Sequence, residues 1–258
     1  MNRKKIVAGN WKMNLEYAEA MALADAVVKS ATENQRTNVV LIPPFIYLRE
    51  LVSKIGKRSG LSVAAQNCSD HSKGAFTGEV SATMLSSIGV KYVLIGHSER
   101  RNSFGEDNEL LAEKTKRAFE NSLIPIFCCG ETAELRKSQK QFAVIREQLE
   151  AFFSRLDQDS MKECVIAYEP VWAIGTGVNA TPEQAQEMHG HIRQLIRERI
   201  SEEAAESTSI LYGGSLTPQN AATIFSCPDV DGGLVGGASL KAEDFISIVQ
   251  AMEKSGNT

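Results

Sequence analysis

Four polar residues follow apolar runs of the chain and have the types needed for acid–base chemistry. Asn10 and Lys12 follow the first run, His97 the fourth and Glu169 the sixth. A carboxylate in an enclosed site can lift a proton from a carbon beside a carbonyl group. The charge that then develops on oxygen requires a hydrogen-bond donor, such as histidine, and benefits from a fixed cation, such as lysine. These residue types therefore predict proton transfer next to a carbonyl.

Eight short apolar segments must position these side chains. Each is rich in Val, Ile and Leu, and none alternates strictly between polar and apolar residues. Continuous apolar character predicts strands that are buried on both faces, as in a parallel sheet. The predicted strands are Lys5–Trp11, Asn38–Pro43, Leu61–Gln66, Tyr92–Gly96, Leu123–Gly130, Cys164–Glu169, Ser209–Gly213 and Gly233–Gly237.

Helical patterns lie between the predicted strands. The clearest is Pro182–Ile200, with Thr181 as its N-cap and Gln184 completing a capping box. The apolar spacing also predicts helices over Ala242–Lys254 and Glu106–Asn121.

Alternating strands and helices predict a parallel α/β fold. Eight such units in 258 residues favour a closed (β/α)8 barrel of eight parallel strands, with residues 1–258 as a single domain. The alternative, a doubly wound open sheet, would call for a glycine fingerprint after the first strand, where only Gly9 occurs. In a barrel, the C-terminal strand ends build the site, so the lysine, histidine and carboxylate should meet at one mouth.

Composition excludes several classes of protein. The chain has 43% apolar and 23% charged residues and a net charge of −4, which argues against disorder and against nucleic-acid binding. No apolar run reaches 18 residues, and the run Ile6–Gly9 is too short for a signal peptide, so we expect no membrane span and a cytoplasmic location. Five cysteines, two of them adjacent, fit reduced thiols. No metal-ligand cluster or dinucleotide fingerprint occurs, so no metal or cofactor is expected.

Five segments, in order and together spanning the chain, resemble the triosephosphate isomerase family: Ala8–Asn14, Ile95–Arg101, Ala167–Gly177, Leu211–Ser215 and Gly233–Leu240. The resemblance implies the TIM-barrel fold. It also implies interconversion of dihydroxyacetone phosphate and D-glyceraldehyde 3-phosphate, a step of glycolysis and gluconeogenesis, without metal or cofactor.

The resemblance assigns roles to the polar residues at the strand ends. Glu169 matches the family's catalytic base, and His97 its electrophilic histidine, expected to be neutral because it precedes a helix N-terminus. Lys12 supplies positive charge to the substrate, and Asn10 offers an amide to substrate oxygens. Glu99 resembles a supporting glutamate near the lysine and the histidine.

Glycine turns are expected to hold the phosphate, because glycine lets backbone N–H groups come close to an anion. Ser215, Gly236 and Gly237 match the family's positions after strands seven and eight. Gly175 lies in the segment 170–180, which the resemblance identifies as a lid. At Val178 the sequence departs from the lysine often found in the family.

The long segment Gln66–Glu79 lacks helical periodicity and carries the apolar tip Ala75-Phe76. A long loop in a compact domain usually has a function, and an exposed aromatic tip indicates an interface. It resembles the family's interdigitating dimer loop. The resemblance implies a homodimer in which Thr77 reaches the partner's site.

Two other functions stay open at this level. An aldolase could use Lys12 as a Schiff base, and a barrel without activity could serve as a binding protein, although Glu169, His97 and Lys12 are all present. Cys128 is interpreted as a packing residue. The remaining histidines, His71, His189 and His191, are predicted to lie at the surface.

Overall fold

In the computed structural model, eight parallel strands form a closed barrel in sequence order. The structure describes residues 3–32, 35–175, 177 and 179–255. Residues 6–9 of the first strand pair with residues 232–235 of the last, which closes the barrel. The predicted barrel is therefore confirmed and the open-sheet alternative is wrong. The strands are β1 Ile6–Asn10, β2 Asn38–Ile42, β3 Leu61–Ala65, β4 Tyr92–Ile95, β5 Ile124–Glu131, β6 Val165–Pro170, β7 Ser209–Tyr212 and β8 Gly232–Val235.

Helices occupy the connections between the strands. Within the described ranges they are α1 Tyr17–Ser30, α2 Leu48–Ile55, α3 Ala82–Ser87, α4 Ser98–Phe104, α5 Asn108–Glu120, α6 Ala133–Lys137, α7 Gln141–Phe153, α8 Gln158–Glu163, α9 Pro182–Arg199, α10 Glu202–Ser207, α11 Ala221–Phe225 and α12 Ala242–Lys254. Short 3-10 helices lie at Phe45–Tyr47, Val171–Ala173 and Gly237–Leu240.

The strands bury both faces, which explains their continuous apolar sequences. One cluster fills the barrel interior and a larger one lies between the strands and the helices. Along β1, Ile6 and Ala8 belong to the inner cluster and Val7 to the outer one. This period of two is the pleat of a β-strand.

The predicted helices agree closely with the observed ones. Thr181 and Gln184 form the capping box of α9, in which each side chain bonds the other residue's backbone N–H. Helix α5 begins two residues later than predicted because Asp107 is its N-cap, accepting the Leu110 N–H at 2.9 Å. Glu106 instead turns inward and pairs with Lys114.

One prediction about the histidines is wrong. His189 is fully buried, because α9 packs against the barrel. Its ring packs edge to face against the ring of Tyr168, with ring centroids 5.8 Å apart, and its centroid lies 6.4 Å from that of the Tyr212 ring. His191 is half-buried, and His71 is exposed as predicted.

All five cysteines are free thiols. Cys128 packs in the inner cluster, in agreement with its predicted packing role. Burial raises the pKa of the Cys128 thiol, which makes it a poor nucleophile. Across the described ranges, no helix combines the length and apolar character needed to cross a bilayer.

Candidate active site

A cavity of about 280 Å³ opens at the C-terminal ends of the strands. Eight of the ten residues predicted for the site line it, and they come from five βα units. They are Asn10, Lys12, His97, Glu169, Gly175, Ser215, Gly236 and Gly237. The barrel therefore brings together residues that lie up to 227 positions apart in the sequence.

Glu169 lies near the end of β6 with its carboxylate 2% exposed. The Ser98 N–H donates to Oε2 at 2.9 Å, and the Ser98 hydroxyl lies 3.4 Å from Oε1. The Nε2 atom of His97 is 3.1 Å from Oε1. A side chain at Gly213 would bring its Cβ within 3.0 Å of the Glu169 Cγ. The carboxylate is therefore held by donors and packed closely against β7.

His97 is the N-cap of α4. Its Nδ1 atom accepts the Glu99 backbone N–H at 3.3 Å. An accepting Nδ1 carries no proton, so the geometry assigns the donor proton to Nε2. That Nε2–H group is the one that faces Glu169. The histidine can therefore donate a hydrogen bond into the site.

Lys12 has a left-handed backbone, with φ 52°. This conformation costs a non-glycine residue on the order of 1 kcal/mol. Two polar contacts hold it: the Lys12 N–H donates to Asn10 Oδ1 at 3.0 Å, and Gln66 Nε2 donates to the Lys12 carbonyl at 2.8 Å. The Lys12 ammonium pairs with Oε1 of Glu99 at 2.5 Å. The other carboxylate oxygen of Glu99, Oε2, lies 3.6 Å from His97 Nδ1. Glu99 thus joins the lysine to the histidine.

Glycine turns after β7 and β8 also line the cavity. Gly236 precedes the 3-10 helix Gly237–Leu240, and its carbonyl accepts the Ser239 hydroxyl at 2.7 Å. A Cβ at Gly236 would lie 3.7 Å from the Lys12 Cε. The lysine side chain thus passes close to the glycine pair, and an anion held there would meet positive charge.

Glu131, the last residue of β5, is a fully buried carboxylate just outside this cavity. Its Oε1 atom accepts the Tyr168 hydroxyl at 3.0 Å and the Trp172 indole N–H at 2.8 Å. Arg136 Nη1 lies 3.1 Å from the same oxygen. Burial and the neighbouring carboxylate raise the pKa of Tyr168. Glu131 therefore fixes the start of the segment that follows β6.

Two predicted site residues lie outside the cavity lining. Glu99 contacts Lys12 and His97 from beside it. Thr77 is exposed, and the cavity of its own chain does not include it. The prediction about Val178 lies outside the described residues.

Three residues contact the site although no sequence pattern assigned them a role. Ser98 binds Glu169, Gln66 binds the Lys12 carbonyl, and Arg101 donates to the Gly96 and Cys128 carbonyls at 2.8 and 3.0 Å. A signal existed only for Ser98, because the first N–H groups of a helix lack intrahelical partners and bind anions. In residues 3–32, 35–175, 177 and 179–255, no group of three or more His, Cys, Asp or Glu residues could hold a metal ion.

Fold and site together define a class: a (β/α)8-barrel enzyme with a carboxylate, a histidine and a lysine around one cavity at the strand ends. The family model for triosephosphate isomerase matches residues 5–252. Triosephosphate isomerase of Bacteroides fragilis is 50% identical over 250 residues, covering 96% of this chain and 99% of that protein. The triosephosphate isomerase of Phocaeicola vulgatus is 50% identical over 252 residues, which cover 97% of this chain and 100% of that protein. That of Cytophaga hutchinsonii is 47% identical over 251 residues, which cover 96% of this chain and 99% of that protein. The chain belongs to the triosephosphate isomerase family.

Proposed function

We propose that this protein interconverts dihydroxyacetone phosphate and D-glyceraldehyde 3-phosphate through an enediolate, a step of glycolysis and gluconeogenesis. The observation that carries the proposal is the meeting of Glu169, His97 and Lys12 on one cavity of about 280 Å³. Family membership over residues 5–252 supports the choice of substrate.

Glu169 is the base in this proposal. It removes a proton from the carbon beside the carbonyl, and the electron pair of that C–H bond forms the double bond of the enediolate. The proton then returns to the carbon that carried the carbonyl, and the hydroxyl proton passes from one substrate oxygen to the other, so no atom is lost or gained. Because Ser98 and His97 hold the carboxylate in this structure, it must leave the Ser98 N–H to reach a substrate.

His97 donates its Nε2–H to the substrate oxygens. Triosephosphate isomerase is itself a standard example of a neutral histidine in this role, so the pattern is known. What supports it in this chain is the hydrogen bond from the Glu99 N–H to Nδ1, which leaves Nε2 as the donor.

Lys12 balances the negative charge of the substrate and of the enediolate. A phosphate group carries about −1.5 to −2 charges, and the ammonium acts on it in a partly enclosed cavity. Asn10 supports the Lys12 backbone and offers its amide to substrate oxygens. Glu99 holds the ammonium in place.

The phosphate group binds at Ser215, Gly236 and Gly237, with Gly175 completing the cradle. All four residues line the cavity. Segment 170–180 covers the bound substrate and excludes water, which protects the enediolate from losing phosphate. Lid closure in this enzyme family is likewise a standard example of such gating.

We also propose that two copies of the chain form a homodimer. Among the described residues, the exposed large apolar side chains all fall within the first four βα units: Met13, Tyr17, Phe45, Ile46, Phe76, Met84 and Phe104. These units are neighbours around the barrel, so one side of the molecule carries the apolar surface expected of an interface. Thr77 lies in the loop that would enter the partner.

A cytoplasmic location and one domain over residues 1–258 complete the proposal. Five unpaired cysteines suit a reducing compartment. The strands of the closed barrel extend from Ile6 to Val235, which supports a single domain. The net charge of −4 argues against nucleic acid as a partner.

A coupled assay of triose phosphate interconversion tests the function directly. The purified protein is expected to turn over both substrates without added metal or cofactor, and to keep its rate after treatment with EDTA. Loss of activity in EDTA that is restored by added metal would contradict the metal-free reaction. Covalent trapping of substrate by borohydride would favour the aldolase alternative, and absence of turnover would favour a binding protein.

A further inference from the structure

Strand β5 continues beyond its neighbour β4. The last pair between them is Ile95 with Phe127, whereas β5 goes on pairing with β6 through Gly130–Glu169 and Glu131–Pro170. Among the described residues, β5 therefore has no strand on its β4 side from Cys128 onward. Backbone N–H and C=O groups buried without partners would destabilise this end of the strand.

Gln148 of α7 supplies the missing partner at Gly130. Its Oε1 atom accepts the Gly130 N–H at 2.9 Å, and its Nε2 atom donates to the Gly130 carbonyl at 3.0 Å. A primary amide has a donor and an acceptor side by side, so one buried side chain replaces a strand residue. Two residues earlier, Arg101 Nη2 donates to the Cys128 carbonyl at 3.0 Å.

Gly130 in turn supports the Glu169 backbone. A Cβ at position 130 would lie only 1.9 Å from the Glu169 carbonyl oxygen, so the two backbones are in direct contact there. Behind Glu169 lies a second cavity of about 280 Å³, whose walls include Gly130, Gln148 and Glu169. With open space on that side, the end of β5 depends on Gln148 for its position. The next residue, Glu131, fixes Tyr168 and Trp172.

We propose that Gln148 is a positioning residue of the active site. It takes the place of β4, which ends before it reaches Gly130, and thereby fixes the backbone position of Glu169. This inference rests on the proposed role of Glu169 as the base. Gln148 touches no substrate, because the cavity lined by Lys12 and His97 does not include it.

The test compares Gln148→Met, of similar length but without polar atoms, with Thr208→Val. Thr208 is a buried residue immediately before β7, and its hydroxyl donates to the Ala204 carbonyl at 2.8 Å, with the Met161 carbonyl 3.2 Å away. Both variants remove buried hydrogen bonds and lower the Tm. Gln148→Met is expected to lower kcat about 10- to 100-fold, since a displacement of about 1 Å can have such an effect, with KM within about twofold of wild type. Thr208→Val is expected to keep the wild-type kcat.

An amide resonance gives a readout that does not need activity. The Ser98 N–H donates to Glu169, so its chemical shift follows the position of that carboxylate. It should change in Gln148→Met and stay unchanged in Thr208→Val. An inactive wild type would overturn the proposed function, whereas the Ser98 shift would still decide the role of Gln148. An unchanged shift and unchanged kcat in Gln148→Met would overturn the inference. If that variant does not fold, Gln148→Glu, which keeps an acceptor for the Gly130 N–H, serves in the same comparison.

Discussion

The Glu169 carboxylate and the His97 ring are 3.1 Å apart in a buried setting. A proton on Nε2 satisfies both, because the ring donates and the carboxylate accepts. The Glu99 N–H donates to Nδ1, which leaves Nε2 as the donor. The same arrangement therefore orients both the base and the histidine donor, and the two groups can exchange partners when substrate oxygens arrive.

Replacing the base while keeping its shape tests this arrangement. Glu169→Gln should lower kcat at least about 100-fold, the low end of general-base contributions, with the fold retained. A coupled assay on the purified variant measures this. Glu243→Gln, the same change at an exposed position of α12, should leave kcat unaltered. Wild-type turnover in Glu169→Gln would rule out Glu169 as the base.

His189 gives stability a dependence on pH. Burial lowers its pKa to about 4, although the Asp229 carbonyl acts in the opposite direction. Since the unfolded chain binds a proton near pH 6.5, the unfolded state takes up more protons between pH 4 and 6.5. The stability contributed by the neutral ring is thus complete above pH 6.5 and is lost as the pH falls towards 4.

His189→Asn should remove this dependence, because an amide does not titrate there and can still donate to the Asp229 carbonyl. Between pH 7.5 and 5, the wild type should lose about 2 kcal/mol of unfolding free energy relative to the variant. Urea denaturation at both pH values measures the difference. Parallel pH profiles for the two proteins would argue against a buried neutral histidine.

Residues that end a strand were predictable, and residues that reach across elements were not. Glu169 and Lys12 could be placed because strand ends of a parallel barrel meet at one mouth. The Gln66 and Gln148 side chains bind backbone groups of other elements, and such contacts leave no periodic pattern in the sequence. His189 was misplaced because a polar ring can be buried wherever a backbone acceptor such as the Asp229 carbonyl lies opposite it.

At the scale of elements, local signals decide which helices can be read from the sequence. Helix α9 has a capping box, Pro at its first position and an apolar face. Helices α6, α8 and α10 have five or six residues each, which is too short for a repeat of 3.6 residues to emerge. Packing stabilises α8 and α10, which bury Met161 and the pair Ala204-Ala205, whereas α6 buries no residue and begins at its N-cap Thr132.

The N-cap of α9 should contribute measurably to stability. Thr181 Oγ1 accepts the Gln184 N–H at 3.2 Å, and loss of such a cap typically costs about 1 kcal/mol. Thr181→Ala is therefore expected to lower the unfolding free energy by about that amount in urea denaturation. Thr223→Ala, the same change at an exposed position inside α11, removes no cap and should not destabilise the protein. Equal effects at the two positions would contradict the capping role.

At the scale of the whole molecule, the apolar surface is unevenly distributed. Met13, Ile46 and Phe104 are well exposed and belong to the first four βα units. Phe76, at the tip of the loop after β3, is half exposed and stacks on His71 with ring centroids 3.9 Å apart. The stack holds the aromatic tip in a defined position before any partner binds, which lowers the entropy lost on association.

A charge at this tip should separate the proposed dimer. Phe76→Asp would bury a carboxylate without a counter-ion in the interface, which costs several kcal/mol of binding free energy. Each loss of about 1.4 kcal/mol in binding free energy raises the dissociation constant tenfold. Sedimentation should show a monomer at micromolar concentration, and turnover should fall with it, because the tip loop would no longer support the partner's Lys12 and His97. Phe76→Leu keeps an apolar side chain and should remain an active dimer. A wild-type protein that is monomeric and fully active at assay concentration would refute the coupling between association and catalysis.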